Sequence, residues 1–240
     1  MLDDVDPRVT GDFYRELRGG DGRKDVVLVG VVHDHPASAY RVKAIVESVD
    51  PDVVGVELPP LAVPLYERYA EVGETPPAFG GELSTAIQAA NGEVVGIDGP
   101  SLRFLVRLSR TLYREAESTS TVVDVLKSVG TVTRNAVACR IAATRMAWSD
   151  RQYRVGSSVD HDCEWSDDPR EQARDEQKQF RRARAVASVL GTPEAVRLRE
   201  TIREGHMAAR LATLRRGSTV VAVVGLGHLD PLAERLDATD

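Results

Sequence analysis

The sequence predicts an α/β protein: a mainly parallel sheet flanked by helices, with a long helical insertion before the last strand. Three observations carry this. Four short Val-rich stretches, 26–32, 53–56, 94–97 and 219–224, are continuously apolar rather than alternating. The spacers between the first three carry apolar residues at helical spacing. The region 101–216 is charged, helically periodic and without strand signals. Continuous apolar character means that both faces of a strand are covered, as in parallel strands beneath helices.

Taken in order, strand 26–32 (VVLVGVV) is followed by a helix over 38–49, whose Ala39, Val42, Ile45, Val46 and Val49 share one stripe. Asp50-Pro51-Asp52 turns the chain into strand 53–56. A second crossover helix over 84–90 stops at Asn91-Gly92, ahead of strand 94–97. This alternation implies right-handed βαβ units. Beyond it, Leu102, Leu105, Val106, Leu108 and Leu112 open the helical insertion. The window 160–176 holds eight acidic residues against Arg170 and Arg174, with Pro169 inside it, and reads as a solvated loop leading into a charged helix. A long helix over 194–214 then precedes strand 219–224. No internal repeat is present, so the simplest organisation is one domain over 1–240 with an insertion at about 101–216.

The chain is 42% hydrophobic and 28% charged, ordinary values for a globular protein. A net charge of -6 argues against nucleic acid as a partner. The acidic start of the chain lacks a secretory pattern, and no run of about 18 apolar residues marks a membrane span. The expected location is the cytoplasm. Cys139 and Cys163 form neither a disulfide framework nor a Cys-x-x-Cys knuckle. A homodimer is compatible with the sequence, which does not specify an oligomeric state.

Chemistry-capable residues fall at the strand ends. His33 follows the first strand, Glu57 the second, Asp98 the third, and His228 comes after the last through Gly225-Leu226-Gly227. In a parallel sheet these four ends share one edge, where ligands bind. Two imidazoles and a carboxylate suit a divalent metal (Mn, Co, Zn or Fe) with positions left open for water, which such an ion acidifies. His33 and His228 are then the nitrogen ligands. Glu57 is a third ligand or the general base. Asp98 is a group that orients an imidazole. Against this stands the simpler reading that polar residues follow strands because the chain is leaving the core. Gly30, Gly225 and Gly227 beside the histidines favour close approach of a ligand.

Other patterns are weaker. The Gly225-Leu226-Gly227 stretch imitates a dinucleotide fingerprint, but Asp230 occupies the third glycine position, so no nucleotide cofactor is expected. No Gly-x-Ser-x-Gly elbow is present. His35, before Pro36, reads as a turn residue. His161, Cys163 and Glu164 read as solvated surface rather than a metal site, and His206 as an exposed or half-buried helix residue.

Five blocks together resemble the TraB/PrgY family, related to the Tiki group of proposed metalloproteases. They are Gly30-Val31-Val32-His33 with Ser38; Pro51 to Leu58 ending in Glu57; Gly96-Ile97-Asp98-Gly99-Pro100 with Arg107; Arg203-Glu204-Gly205-His206-Met207-Ala208; and Gly225-Leu226-Gly227-His228. The five blocks stand in the family's order and run from Gly30 to His228, most of the chain. Gly99 stands where the family usually carries arginine. Archaeal members often continue into membrane helices, which makes this chain a soluble form or a truncated one. The resemblance implies a metal-dependent hydrolase, most readily a peptidase acting on peptides or proteins through His33, Glu57 and His228. It also implies a fold similar to erythromycin-esterase-like proteins.

Three functions follow as expectations. The first is the metal-dependent peptidase, with Arg203 stabilising an oxyanion or clamping a carboxylate. For Arg203 an equally weighted alternative is a buried salt bridge to Asp98 or Glu57. The second function is a protein that sequesters a peptide without turnover. The third is metal-free hydrolysis of an ester or lactone, with His33 and Glu57 as bases.

Overall fold

The computed structural model describes residues 6–20, 22–116, 118–149, 151–155, 159 and 161–238, with only the backbone of 187–190. The acidic N-terminal residues 1–5 and Asp160 of the acidic window lie outside the described residues. Five strands form one sheet: β1 (Tyr14–Leu17), β2 (Val26–Val31), β3 (Val53–Val56), β4 (Glu93–Gly96) and β5 (Val220–Gly225). Their order is β1-β2-β5-β3-β4. The four apolar strands are parallel, as their composition implies. Only β1 runs antiparallel, along the β2 edge. It is not apparent in the sequence because its four residues, Tyr-Arg-Glu-Leu, bury only Leu17 fully.

Strands β2, β3 and β5 are apolar throughout because they serve two cores. Val27, Val29 and Val31 of β2, with Val54 and Val56 of β3 and Val221 and Val223 of β5, pack with Val42, Ile45, Leu65, Leu83 and Cys139 on one face. These partners belong to α1 (Pro36–Val49), α2 (Val63–Glu71), α3 (Gly81–Ala89) and α5 (Thr119–Met146). Val26, Leu28, Val220, Ala222 and Val224 face the other way, onto Met207, Leu211, Leu229, Leu232 and Leu236. These lie on α7 (Glu194–Leu214) and α8 (Leu229–Asp237). The helices α2 and α8, nine residues each, are not among those the sequence predicts.

Local signals set the helix ends. His35 caps α1 by accepting the Ala37 N–H at 3.1 Å, and Pro36 occupies the first turn, where a missing N–H is harmless. Asp50 ends α1 in the left-handed conformation, φ 46°. Ser101 caps α4 (Leu102–Glu115) and Asp168 caps α6 (Pro169–Leu190).

The insertion contains α4 to α7 and no strand among the described residues. Its acidic window differs from the solvated loop that its charge suggests. Gln172 and Glu176 are fully buried under the sheet edge, because Arg41 of α1 reaches Glu176 from the core. Arg41 also donates to the Gly30 carbonyl at 2.7 Å, and Ser38 donates to Glu176 while accepting the Val32 N–H at 2.8 Å. One buried carboxylate on α6 thereby fixes the end of β2, two residues from His33.

Candidate functional site

Because β5 lies between β2 and β3, the residues after the strands follow one another along the carboxyl edge as His33, His228, Glu57 and Asp98. Gly225, the last residue of β5, is where the first three meet. Its N–H donates to Glu57 Oε2 at 2.6 Å. A Cβ placed on Gly225 would lie 3.4 Å from Glu57 Oε2, 3.8 Å from His33 Nε2 and 3.8 Å from His228 Cδ2. Glycine therefore keeps open the space onto which these three side chains face.

Each imidazole is backed by a carboxylate. His33 Nδ1 donates to Glu82 Oε1 at 2.8 Å, and the other oxygen of Glu82 accepts the Asp34 N–H at 2.8 Å. His228 Nδ1 faces Glu204 Oε1 at 3.2 Å. With Nδ1 committed outward, Nε2 of each ring is the atom left for the site. His228 Nε2 lies 3.3 Å from Glu200 Oε2, 3.3 Å from Arg203 Nη1 and 3.5 Å from Glu57 Oε1.

Arg203 is enclosed by carboxylates. It donates to Asp98 Oδ2 through Nε at 3.0 Å and Nη2 at 2.8 Å, to Glu200 Oε2 through Nη1 at 2.8 Å, and to Glu57 Oε1. Burial works against its charge, but Asp98 and Glu57 overcome this and hold its pKa well above the ordinary arginine value. Of the two sequence readings of Arg203, this geometry is that of the ion pair. Asp98 orients Arg203, not an imidazole. The imidazoles are oriented instead by Glu82 and Glu204.

Glu82 does not stand out in the sequence. Glu82 sits in the first turn of α3, after Gly80 and Gly81 in left-handed conformations, and no spacing links it to His33. Glu200, Arg203 and Glu204 do carry a signal. At i, i+3 and i+4 they share one face of a helix that leads into the site's own strand.

The charges do not cancel. Five carboxylates (Glu57, Glu82, Asp98, Glu200, Glu204) contact these groups, against the guanidiniums of Arg199, Arg203 and Arg235. Carboxylates thus outnumber guanidiniums at the site, and Asp34 adds to the excess near His33. The histidines respond as expected. Glu82, helped by Glu57 and Asp34, pulls the His33 pKa up to about 9 against burial. For His228 burial acts downward, but Glu204, Glu57 and Glu200 outweigh it and the pKa ends above the usual value.

The chemistry of the donor set, two oriented imidazoles and a carboxylate in a negative site, therefore fits a divalent metal. The donor atoms are not gathered into a closed set. Among the described residues, the only trio of His, Cys, Asp or Glu donor atoms all within 4.8 Å of one another is His35, Cys163 and Asp175. This second group could hold a metal ion. His35 is completely buried, and its Nε2 lies 3.4 Å from Asp175 Oδ2 and 3.4 Å from Cys163 Sγ. Cys163 thus departs from the solvated surface its acidic surroundings suggest, whereas the Glu164 backbone serves Asp167 and Gln172. His206 is buried rather than half-buried, edge-on to Phe104 at 5.5 Å between ring centroids.

Comparison with protein-family models, curated proteins and solved structures finds no match. Among the described residues no helix is long and apolar enough to cross a membrane.

Proposed function

We propose that this chain is a metal-dependent hydrolase of the TraB/PrgY type, acting on peptide bonds at the carboxyl edge of the sheet. The observation that carries this reading is the convergence of His33, Glu57 and His228 on the space before Gly225, each imidazole held through Nδ1 by a carboxylate. His33 and His228 would hold the cation through Nε2, with Glu57 as the third donor. A divalent ion there supplies Lewis acidity. Glu57 keeps lone pairs beyond those facing Arg203 and Gly225, so it can also take a proton from an attacking water. Arg203 is a positioning residue that fixes Glu57 relative to His228. Asp98 and Glu200 anchor Arg203 in turn. The preference for peptides rests on the sequence resemblance, and the cytoplasm remains the expected location.

One observation favours a second reading, metal-free hydrolysis of an ester or lactone. Glu57 is already ion-paired with Arg203 and lies 3.5 Å from His228 Nε2, an arrangement able to activate water by acid–base action alone.

The deciding experiment is metal analysis of protein purified without chelators, with peptide cleavage assayed before and after exhaustive chelation. Chelation is expected to abolish cleavage, and Mn, Co, Zn or Fe to restore it. Glu57→Gln is expected to stay inactive under both conditions. Cleavage that survives chelation would support the acid–base reading. A peptide that binds and is recovered intact would mark the chain as a sequestering protein.

A further inference from the structure

Outside the site just described, the donor atoms gathered closely enough to hold a metal ion are, among the described residues, those of His35, Cys163 and Asp175. They come from three separate pieces of chain. His35 caps α1 directly after β2, Cys163 lies in the segment 161–168 that precedes α6, and Asp175 is on α6 itself. The His35 Nε2 to Asp175 Oδ2 and His35 Nε2 to Cys163 Sγ separations are both 3.4 Å. A tetrahedral ion with nitrogen and oxygen at about 2.0–2.1 Å and sulfur at about 2.3 Å requires donors roughly 3.3–3.6 Å apart. Both edges that meet at His35 Nε2 already have that length, and the Cys163 and Asp175 donors lie within 4.8 Å of each other.

The surroundings support the same reading. Gln179 donates to Asp175 Oδ2 at 2.7 Å and so turns this oxygen toward His35. Glu176 and Asp175 bring negative charge to a fully buried imidazole, and the Arg41 guanidinium is committed to Glu176. Cys163 is only partly buried, which leaves a route for an ion to enter.

We propose that His35, Cys163 and Asp175 form a zinc site that clamps the segment 161–168 and helix α6 onto the loop carrying His33. Thiolate, imidazole and carboxylate together select zinc or cobalt over the harder cations. The fourth position is left to water or to the second oxygen of Asp175. On coordination the Cys163 thiol releases its proton to solvent. The His35 proton moves from Nε2 to Nδ1, so Nδ1 no longer accepts the Ala37 N–H. This leaves two buried donors, Nδ1–H and the Ala37 N–H, facing each other, a cost that the free energy of zinc binding to the fold has to exceed. His161, two residues before Cys163, donates from Nε2 to the His33 carbonyl at 2.8 Å, so the clamp would bear directly on the candidate catalytic edge. The inference stands whether or not His33, Glu57 and His228 hydrolyse anything.

Sulfur makes the test specific, because the set formed by His33, Glu57 and His228 contains none. The full chain is stripped with chelator and reloaded with Co²⁺ alone. A thiolate-to-cobalt charge-transfer absorption in the near ultraviolet is expected in the wild type, in Cys139→Ser and in Glu57→Gln. It is expected to be lost in Cys163→Ser, with folding checked by circular dichroism. Asp175→Asn, which keeps the side-chain shape, is expected to weaken Co²⁺ binding. With Zn²⁺ alone, proteolytic cleavage within 161–168 is expected to slow in the wild type and not in Cys163→Ser. Absence of the absorption in the wild type, or its persistence in Cys163→Ser, would overturn the proposal, and neither result depends on peptide cleavage.

Discussion

Glu82 holds His33 by its Nδ1 at 2.8 Å, across 49 residues of sequence, and thereby decides which nitrogen His33 presents to Gly225. The imidazole is half exposed, so solvent screens part of this interaction, yet Glu82 is almost completely buried and fixed in place. Glu82→Gln should bring the His33 pKa down from about 9 toward its ordinary 6.5, followed by NMR titration of the ring protons of the metal-free protein. Because the folded value is raised, the pair's contribution to stability is full below pH 6.5 and fades as pH rises through about 9. A His33 titration unchanged in Glu82→Gln would remove Glu82 from its positioning role.

Gly225→Ala separates the site from the fold. The backbone at Gly225 has φ -54°, which alanine adopts freely, and the added methyl would meet only contacts of 3.4 Å or longer. Stability measured by urea unfolding should change by no more than about 0.5 kcal/mol, the range of a substitution that disturbs no core, cap or buried charge. The methyl would nevertheless stand before Glu57, His33 and His228. Metal uptake and cleavage by this set should fall at least about tenfold, whereas the cobalt–sulfur absorption should be unaffected.

Glu176→Ala should be the most damaging single change to the fold among those considered. It leaves Arg41 charged and fully buried, with only the Arg8 and Gly30 carbonyls to receive its donors. Breaking such a pair by removing one partner destabilises by about 3–5 kcal/mol. Denaturant unfolding measures this directly, and a loss below about 1 kcal/mol would mean that α6 is not anchored through Glu176.

Acid should act at the other end of the sheet. Asp52 Oδ2 accepts the Thr219 N–H at 2.7 Å and its hydroxyl at 2.8 Å, while the Asp52 N–H donates to Thr219 Oγ1 at 3.0 Å. These bonds, the backbone N–H first, hold the Asp52 carboxyl below its usual 3.8. A depressed folded value means that the stabilisation is full above pH 3.8 and is lost as pH falls through that lower value. Thr219→Val should move the Asp52 pKa upward in a carbon-detected titration and make the protein less resistant to acid.

Much of this architecture was legible in the sequence because strand burial and helix periodicity are written residue by residue. The Val-rich runs at 26–32, 53–56 and 219–224 read as covered strands, and β2, β3 and β5 lie on them; of the stripe Ala39, Val42, Ile45, Val46 and Val49, all but Val49 are buried. Helix α7 begins at Glu194 and ends at Leu214, the bounds its periodicity gives. The strand ends likewise announced His33, Glu57 and His228. What periodicity cannot express is lateral order. Nothing in the residues of β5 says that it lies between β2 and β3, and that placement is what brings His228 beside both His33 and Glu57. Glu82 was hidden for the same reason, since it meets His33 only through tertiary packing. The value of Cys163 was masked by an acidic neighbourhood that, in sequence, resembles ordinary solvated surface.

The central place of β5 also has a consequence for the growing chain. Strands β2 and β3 leave the ribosome early, but neither pairs with the other; each needs β5, which follows more than 160 residues later. Until then both would present bare, Val-rich edges, the kind of surface that invites association between nascent chains. Synthesis of the helical insertion therefore sets a waiting time during which a chaperone, or rapid local helix formation, must shield the unfinished sheet. The half-site formed by His33 and Glu82 could assemble on the early segment, but its junction with Glu57 and His228 is delayed until the final strand threads into the middle.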